Sequence, residues 1–116
     1  MNTKISYLYR DADNYKMPNE CVIAGILTTE QICTIKDCCD MGEYFIPRQV
    51  GLPERRFDRY DSTVDHCWFE LDEDSFSETM EPPTIVLAAT ELVNRFEECR
   101  NNWQDEEYTP QMGGMV

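Results

Sequence analysis

His66 is the only histidine in the chain. To act as a general base it needs a nucleophile within hydrogen-bond reach. Its neighbours Asp65 and Cys67 do not meet that need, because successive side chains on a strand point to opposite faces. An exposed strand histidine is the simpler reading, and no catalytic residue is assigned. Cys33 and Cys38 sit at the edge of the Cys-x2–4-Cys spacing of structural zinc, but Cys38 and Cys39 are adjacent and no second pair follows. Glu70, Asp72, Asp74 and Glu81 occupy positions 1, 3, 5 and 12 of a calcium-loop frame. Position 6 is Ser75 where that loop requires glycine, and the preceding residues read as strand. No phosphate loop, dinucleotide fingerprint or serine elbow is present. The expectation is no metal and no cofactor. A ligand site, if the chain has one, is expected from the polar groups of Asp11, Asp13, Asn14, Tyr15 and His66.

The charge is more informative. The 116 residues hold 10 Lys and Arg against 23 Asp and Glu, a net charge of −13. Phosphate contacts need local cations, so direct nucleic-acid binding is not expected, nor is docking on anionic lipid. The acidity is also segregated. From Asp61 to Asn94 there is no Lys or Arg, while Asp61, Asp65, Glu70, Asp72, Glu73, Asp74, Glu78 and Glu81 crowd the first part of that stretch. Those eight are the candidate partner-binding residues, since a block of one sign steers an oppositely charged partner from beyond contact distance. The expected partner is a basic protein, with a nucleic-acid-binding enzyme the natural example. Alternate residues of one strand lie about 6.6 Å apart. Duplex DNA carries a charge about every 1.7 Å, so other elements would have to thicken the pattern for mimicry. The competing reading is a solvated acidic face that keeps the protein soluble. Arg55-Arg56-Phe57-Asp58-Arg59-Tyr60 interleaves cations and aromatics as nucleic-acid surfaces do. The surrounding field opposes that use, and pairing with the chain's own carboxylates is expected instead.

The elements that would position these groups are partly legible. Ile5, Tyr7 and Tyr9 alternate with Ser6, Leu8 and Arg10, a strand over 4–10. Residues 11–19 are rich in turn formers and read as a long hairpin connection to a second strand over 20–27. Thr28 and Gln31 fit a capping box ahead of Ile32, Ile35, Cys38 and Cys39 at helical spacing, with Gly42 as the stop. Residues 43–47 read as a third strand closed by Pro47. The fourth strand is expected over 66–72, with Cys67, Phe69 and Leu71 inward. Residues 84–88 fit either a short strand or an early helical turn. From Thr90, Leu92, Val93, Phe96, Cys99 and Trp103 keep one face of a helix. The order β-β-α-β-β-α predicts an α+β fold, an antiparallel sheet of about four strands with two helices packed on one face. One domain over 1–103 is expected, followed by an acidic, flexible tail over 104–116. The predicted core is Ile5, Tyr7, Val22, Ile23, Ile35, Phe45, Phe69, Leu71, Leu92, Val93 and Phe96. No apolar run approaches the roughly 18 residues of a membrane helix, and the N-terminus lacks a signal-peptide apolar region. A cytoplasmic protein with six reduced thiols is expected.

Three stretches carry a resemblance: residues 5–16 (Ile5-Ser6-Tyr7-Leu8-Tyr9-Arg10-Asp11-Ala12-Asp13-Asn14-Tyr15-Lys16), residues 43–53 (Glu43-Tyr44-Phe45-Ile46-Pro47-Arg48-Gln49-Val50-Gly51-Leu52-Pro53) and residues 65–71 (Asp65-His66-Cys67-Trp68-Phe69-Glu70-Leu71). Together they resemble a family of small, acidic, uncharacterised proteins of bacterial and phage genomes, over residues 5–100. The resemblance implies a mobile-element setting and carries no activity with it. With the charge pattern, it leads to the expectation of a non-enzymatic interaction module, an inhibitor of a nucleic-acid-targeting bacterial defence system such as CRISPR. The alternative is a small enzyme or ligand-binding domain built on the Asp11–Tyr15 groups and His66.

Overall fold

The computed structural model describes residues 1–57, 61 and 63–105. The fold is α+β. Among the described residues, five strands form one antiparallel sheet with two helices. Strand β1 (Asn2–Arg10) is central and pairs from Thr3 to Arg10 with β2 (Lys16–Ile23), placing Tyr7 opposite Asn19 and Tyr9 opposite Met17. The other edge of β1 is shared. Its first half pairs with β5 (Phe76–Thr79), and Leu8 and Tyr9 pair with β4 (Phe69–Glu70), which in turn holds β3 (Tyr44–Phe45).

The fifth strand was not expected. Phe76 is its one apolar anchor, followed by Ser77, Glu78 and Thr79, so it has no alternating run of its own. It becomes a strand because β1 offers a free edge there, an example of context overriding propensity. The second strand also begins earlier than its composition suggests. Lys16–Asn19 belongs to the ladder, and Pro18 is tolerated because β2 lies at the sheet margin. The connecting loop is therefore short. The Asp11 carboxylate accepts from the backbone N–H groups of Asp13 and Tyr15, and Asn14 takes the left-handed φ of 69° that closes the turn. At its far end the strand stops at Ile23, ahead of Gly25 with φ 91°.

The third and fourth strands are shorter than expected. Pro47 opens a 3-10 turn over Pro47–Gln49, where its missing N–H costs nothing. Asp72 caps a second 3-10 turn over Glu73–Ser75, accepting from the Asp74 N–H and ending the strand pattern. The inward alternation of Cys67, Phe69 and Leu71 survives, and all three are buried.

Helix α1 (Thr29–Cys38) carries the expected capping box. Gln31 N–H donates to Thr28 Oγ1 at 3.0 Å, and Thr28 N–H donates to Gln31 Oε1 at 2.9 Å. The helix ends at Cys39, three residues before Gly42, because Cys39 turns extended; Gly42 serves the next turn at φ 71°. Helix α2 (Ala89–Cys99) has no side-chain N-cap. Its first N–H donates to Ala24 C=O, so the sheet satisfies a group a cap would otherwise hold. Residues 84–88 form neither helix nor strand. They run along the outer edge of β2, with Thr84 N–H donating to Val22 C=O and Ala24 N–H to Leu87 C=O. That segment covers an edge that would otherwise be open to pairing.

Both helices pack on the face of the sheet that carries Ile5, Tyr7 and Tyr9. Ile35 and Cys38 of α1 and Leu92, Val93 and Phe96 of α2 join these residues with Cys21, Ile23, Phe45 and Phe69 in one buried cluster. The rings interlock, with Phe45 centred 5.6 Å from both Tyr7 and Phe96. All eleven residues predicted for the core are buried. Val22 alone lies outside the cluster, opposite Lys4 on the other face. No helix among the described residues is long and apolar enough to cross a membrane.

Candidate functional site

The face of the sheet away from the helices is a charged cleft of about 730 Å³. Outward residues of β1 floor it, including Leu8 and Arg10. Glu20 stands on one side, and Glu70, Asp72 and Asp74 on the other. Of its two lining arginines, Arg10 is paired within the chain, while Arg55 makes no ion pair among the described residues. Arg10 grips Glu70 with both arms, at 2.9 Å from Nε and 3.3 Å from its terminal nitrogen. Lys4 lies 2.6 Å from Glu81 and 3.9 Å from Glu20. The hydrogen bond to Lys4 is the main cause that holds the Glu81 carboxyl below its ordinary range. Lys4 and Arg10 carry this pairing, and the alternation of β1 was the signal that could have placed both on the outer face.

The eight acidic candidates thus divide into three kinds. Asp61, Asp65 and Asp72 hold local structure. Asp61 accepts from the Thr63 hydroxyl and backbone, which lowers its pKa. Asp65 accepts from the Tyr9 hydroxyl and from the Asp61 N–H, and Asp72 caps its turn. Glu70 and Glu81 are neutralised by Arg10 and Lys4. Glu73, Asp74 and Glu78 are exposed and make no ion pair among the described residues. Glu73 and Asp74 stand on the turn before β5, where Asp74 lines the cleft, and Glu78 stands on β5 opposite Thr3, towards the helix side of the sheet.

The other constellation is brought together only in part. Ala12 N–H donates to Val64 C=O, so the first loop does lie against the segment that carries His66. Both imidazole nitrogens are occupied, however. Nδ1 accepts from Trp68 N–H at 3.0 Å, and Nε2 lies 2.8 Å from Arg10 C=O, to which it can donate. His66 is half-buried rather than exposed. Asp11 is buried and committed to its loop, while Asp13, Asn14 and Tyr15 are exposed.

Within the Arg-rich connection, Arg56 turns inward. Its guanidinium lies 2.7 Å from Glu54, and 5.6 and 5.2 Å from the ring centroids of Tyr9 and Phe69. Arg56 and Phe57 thereby pack on the Tyr9 ring. Asp58, Arg59 and Tyr60 of the same motif lie outside the described residues. The six cysteines are unpaired, and Cys33 alone is exposed. Burial pushes the Cys21 thiol up to about 11 and the Cys39 thiol up to about 12. Cys33 and Cys38 do not share an environment, since Cys38 is buried. At the C-terminus, Gln104 exchanges hydrogen bonds with Gln49, so the chain is still fastened at the point where the tail was expected to begin. The remainder of that tail, 106–116, lies outside the described residues.

No family model, curated protein or solved structure matches the chain.

Proposed function

We infer that the chain is a non-enzymatic interaction module that presents an acidic surface to a basic protein. The observation that carries this is the division of the carboxylates. Glu73, Asp74 and Glu78 are exposed on a turn and a strand and make no ion pair among the described residues, within a molecule of net charge −13. Fixed charges of one sign raise association rates with a basic surface and cost no ordering on binding. The partner class is a nucleic-acid-binding enzyme. The resemblance to small proteins of bacterial and phage genomes supports placing that enzyme in a nucleic-acid-targeting defence system, with this chain as its inhibitor. The alternative, a small enzyme or ligand-binding domain on Asp11, Asp13, Asn14, Tyr15 and His66, has weaker support, because Asp11 and His66 spend their polar atoms on the fold.

Competition is the test. A basic nuclease recovered on the immobilised chain from a bacterial lysate and then purified should release the chain when its own DNA or RNA is added. Binding that DNA and RNA leave unchanged would contradict the proposal.

A further inference from the structure

We propose that a second cavity, formed where the two helices end, is a binding pocket for the cationic head of a lysine or arginine side chain. This rests on the reading of the chain as a module for a basic partner. The cavity measures about 420 Å³ and is lined by Asp40, Trp68, Asn101, Trp103 and Asp105. Both tryptophans of the chain are there. Their ring centroids are 6.3 Å apart and their planes meet at 65°, so the edge of one ring meets the face of the other, and both rings are half-buried. A cation over an indole face is attracted by the ring quadrupole, most strongly where water is displaced. Asp40 and Asp105 supply two carboxylates, and neither makes an ion pair among the described residues.

The corner is held on every side. The Trp103 indole N–H donates to Cys38 C=O at 3.0 Å, and its ring packs on Phe96 at 5.9 Å. Trp68 is set by its backbone bond to His66. Asp105 is tied back through its carbonyl to the Cys67 thiol, and Asn101 turns the chain with a left-handed φ of 58°. Cys38 is the last residue of α1, and Asn101 lies two residues past α2. Two helix C-termini therefore add their negative ends to the field, which again favours a cation. Only two carboxylates line the cavity, and no three His, Cys, Asp or Glu side chains among the described residues converge to hold a metal ion. Two acceptors beside two half-buried indoles suit an organic cation that can donate hydrogen bonds while its stem rests on a ring.

The two tryptophans make the pocket its own reporter. The isolated chain is titrated with N-acetyl-arginine amide, N-acetyl-lysine amide, the uncharged N-acetyl-citrulline amide and tetramethylammonium, following the indole N–H resonances of Trp68 and Trp103. The arginine and lysine compounds should shift both resonances saturably, and citrulline should bind at least about tenfold more weakly. Replacing both exposed carboxylates, Asp40→Asn with Asp105→Asn, should weaken arginine binding about tenfold with the fold unchanged. Equal binding of arginine and citrulline compounds, or no effect of the double variant, would overturn the pocket. Tetramethylammonium binding as tightly as the arginine compound would overturn the side-chain assignment, since it cannot donate to the carboxylates. The titration needs no partner and should be unchanged in Glu73→Gln/Asp74→Asn/Glu78→Gln. Cation binding that persists when partner association proves insensitive to salt would thus reject the acidic docking surface separately from the pocket's chemistry.

Discussion

At the scale of single residues, polar groups that look available in the sequence prove to be engaged within the fold. His66 locks Trp68 and Arg10, Asp11 closes a hairpin, and Asp65 receives the Tyr9 hydroxyl. The Asp11 turn is local, but the Arg10 partner of His66 and the Tyr9 partner of Asp65 lie far away in the chain, so those two roles were not legible. The cysteines show the same effect of burial. Cys33 is exposed, while Cys21 and Cys39 are buried with thiols that burial holds protonated. Because the thiolate is the reactive form, alkylation of the folded protein at neutral pH should label Cys33 first and leave Cys21 and Cys39 unmodified. All six should react after unfolding. Equal labelling rates in the folded state, read by peptide mass spectrometry, would contradict the packing. Phe96, fully buried between Phe45 and Trp103, is the most demanding core site. Phe96→Ala should cost about 3–5 kcal/mol in a urea titration, and a loss below about 1 kcal/mol would mean the ring is not enclosed.

At the scale of elements, legibility follows how local the cause is. The capping box before α1 could be read from Thr28 and Gln31 because both partners lie within four residues. Thr28→Ala should therefore cost about 1 kcal/mol, and Thr28→Asn much less, since asparagine also caps. Equal losses for the two in thermal unfolding would assign the effect to something other than the cap. The inward alternation of β1 and of Cys67, Phe69 and Leu71 was equally plain, because a period of two needs no partner to be seen. Strand β5 and the extended course of 84–88 were not, because each is defined by a neighbour's edge. Helix α2 was found from its apolar stripe, although its uncapped start depends on Ala24, far away in the chain. The cleft and the tryptophan corner were missed for the same reason, as their linings come from segments distant in sequence.

At the scale of the whole molecule, stability should weaken in alkali. Burial raises the thiols of Cys21 and Cys39 from the ordinary 9.0 to about 11 and about 12, and raises the phenols of Tyr7 and Tyr9 above the ordinary 10.0. Below about pH 9 both folded and unfolded chains hold these protons, and the contribution is fully present. Above it the unfolded chain releases protons that the folded chain retains. Stability is then lost at up to about 1.4 kcal/mol per pH unit for each group, through about pH 11 for Cys21 and about 12 for Cys39. Urea midpoints measured at several pH values from neutral upward should fall once past that point; a flat profile would contradict the burial of these groups.

The charge of the molecule carries the central claim, that exposed carboxylates on the turn before β5 and on β5 dock a basic protein. The association rate of the purified partner with the native chain, against ionic strength, tests it most directly when compared with Glu73→Gln/Asp74→Asn/Glu78→Gln. These three substitutions leave the Asp72 cap and the Lys4–Glu81 and Arg10–Glu70 pairs in place. At low salt the native chain should associate about tenfold faster than the variant, and the difference should shrink as the Debye length falls to about 8 Å near 0.15 M salt. Equal association rates at every ionic strength would contradict the claim and leave those carboxylates as a means of solubility alone.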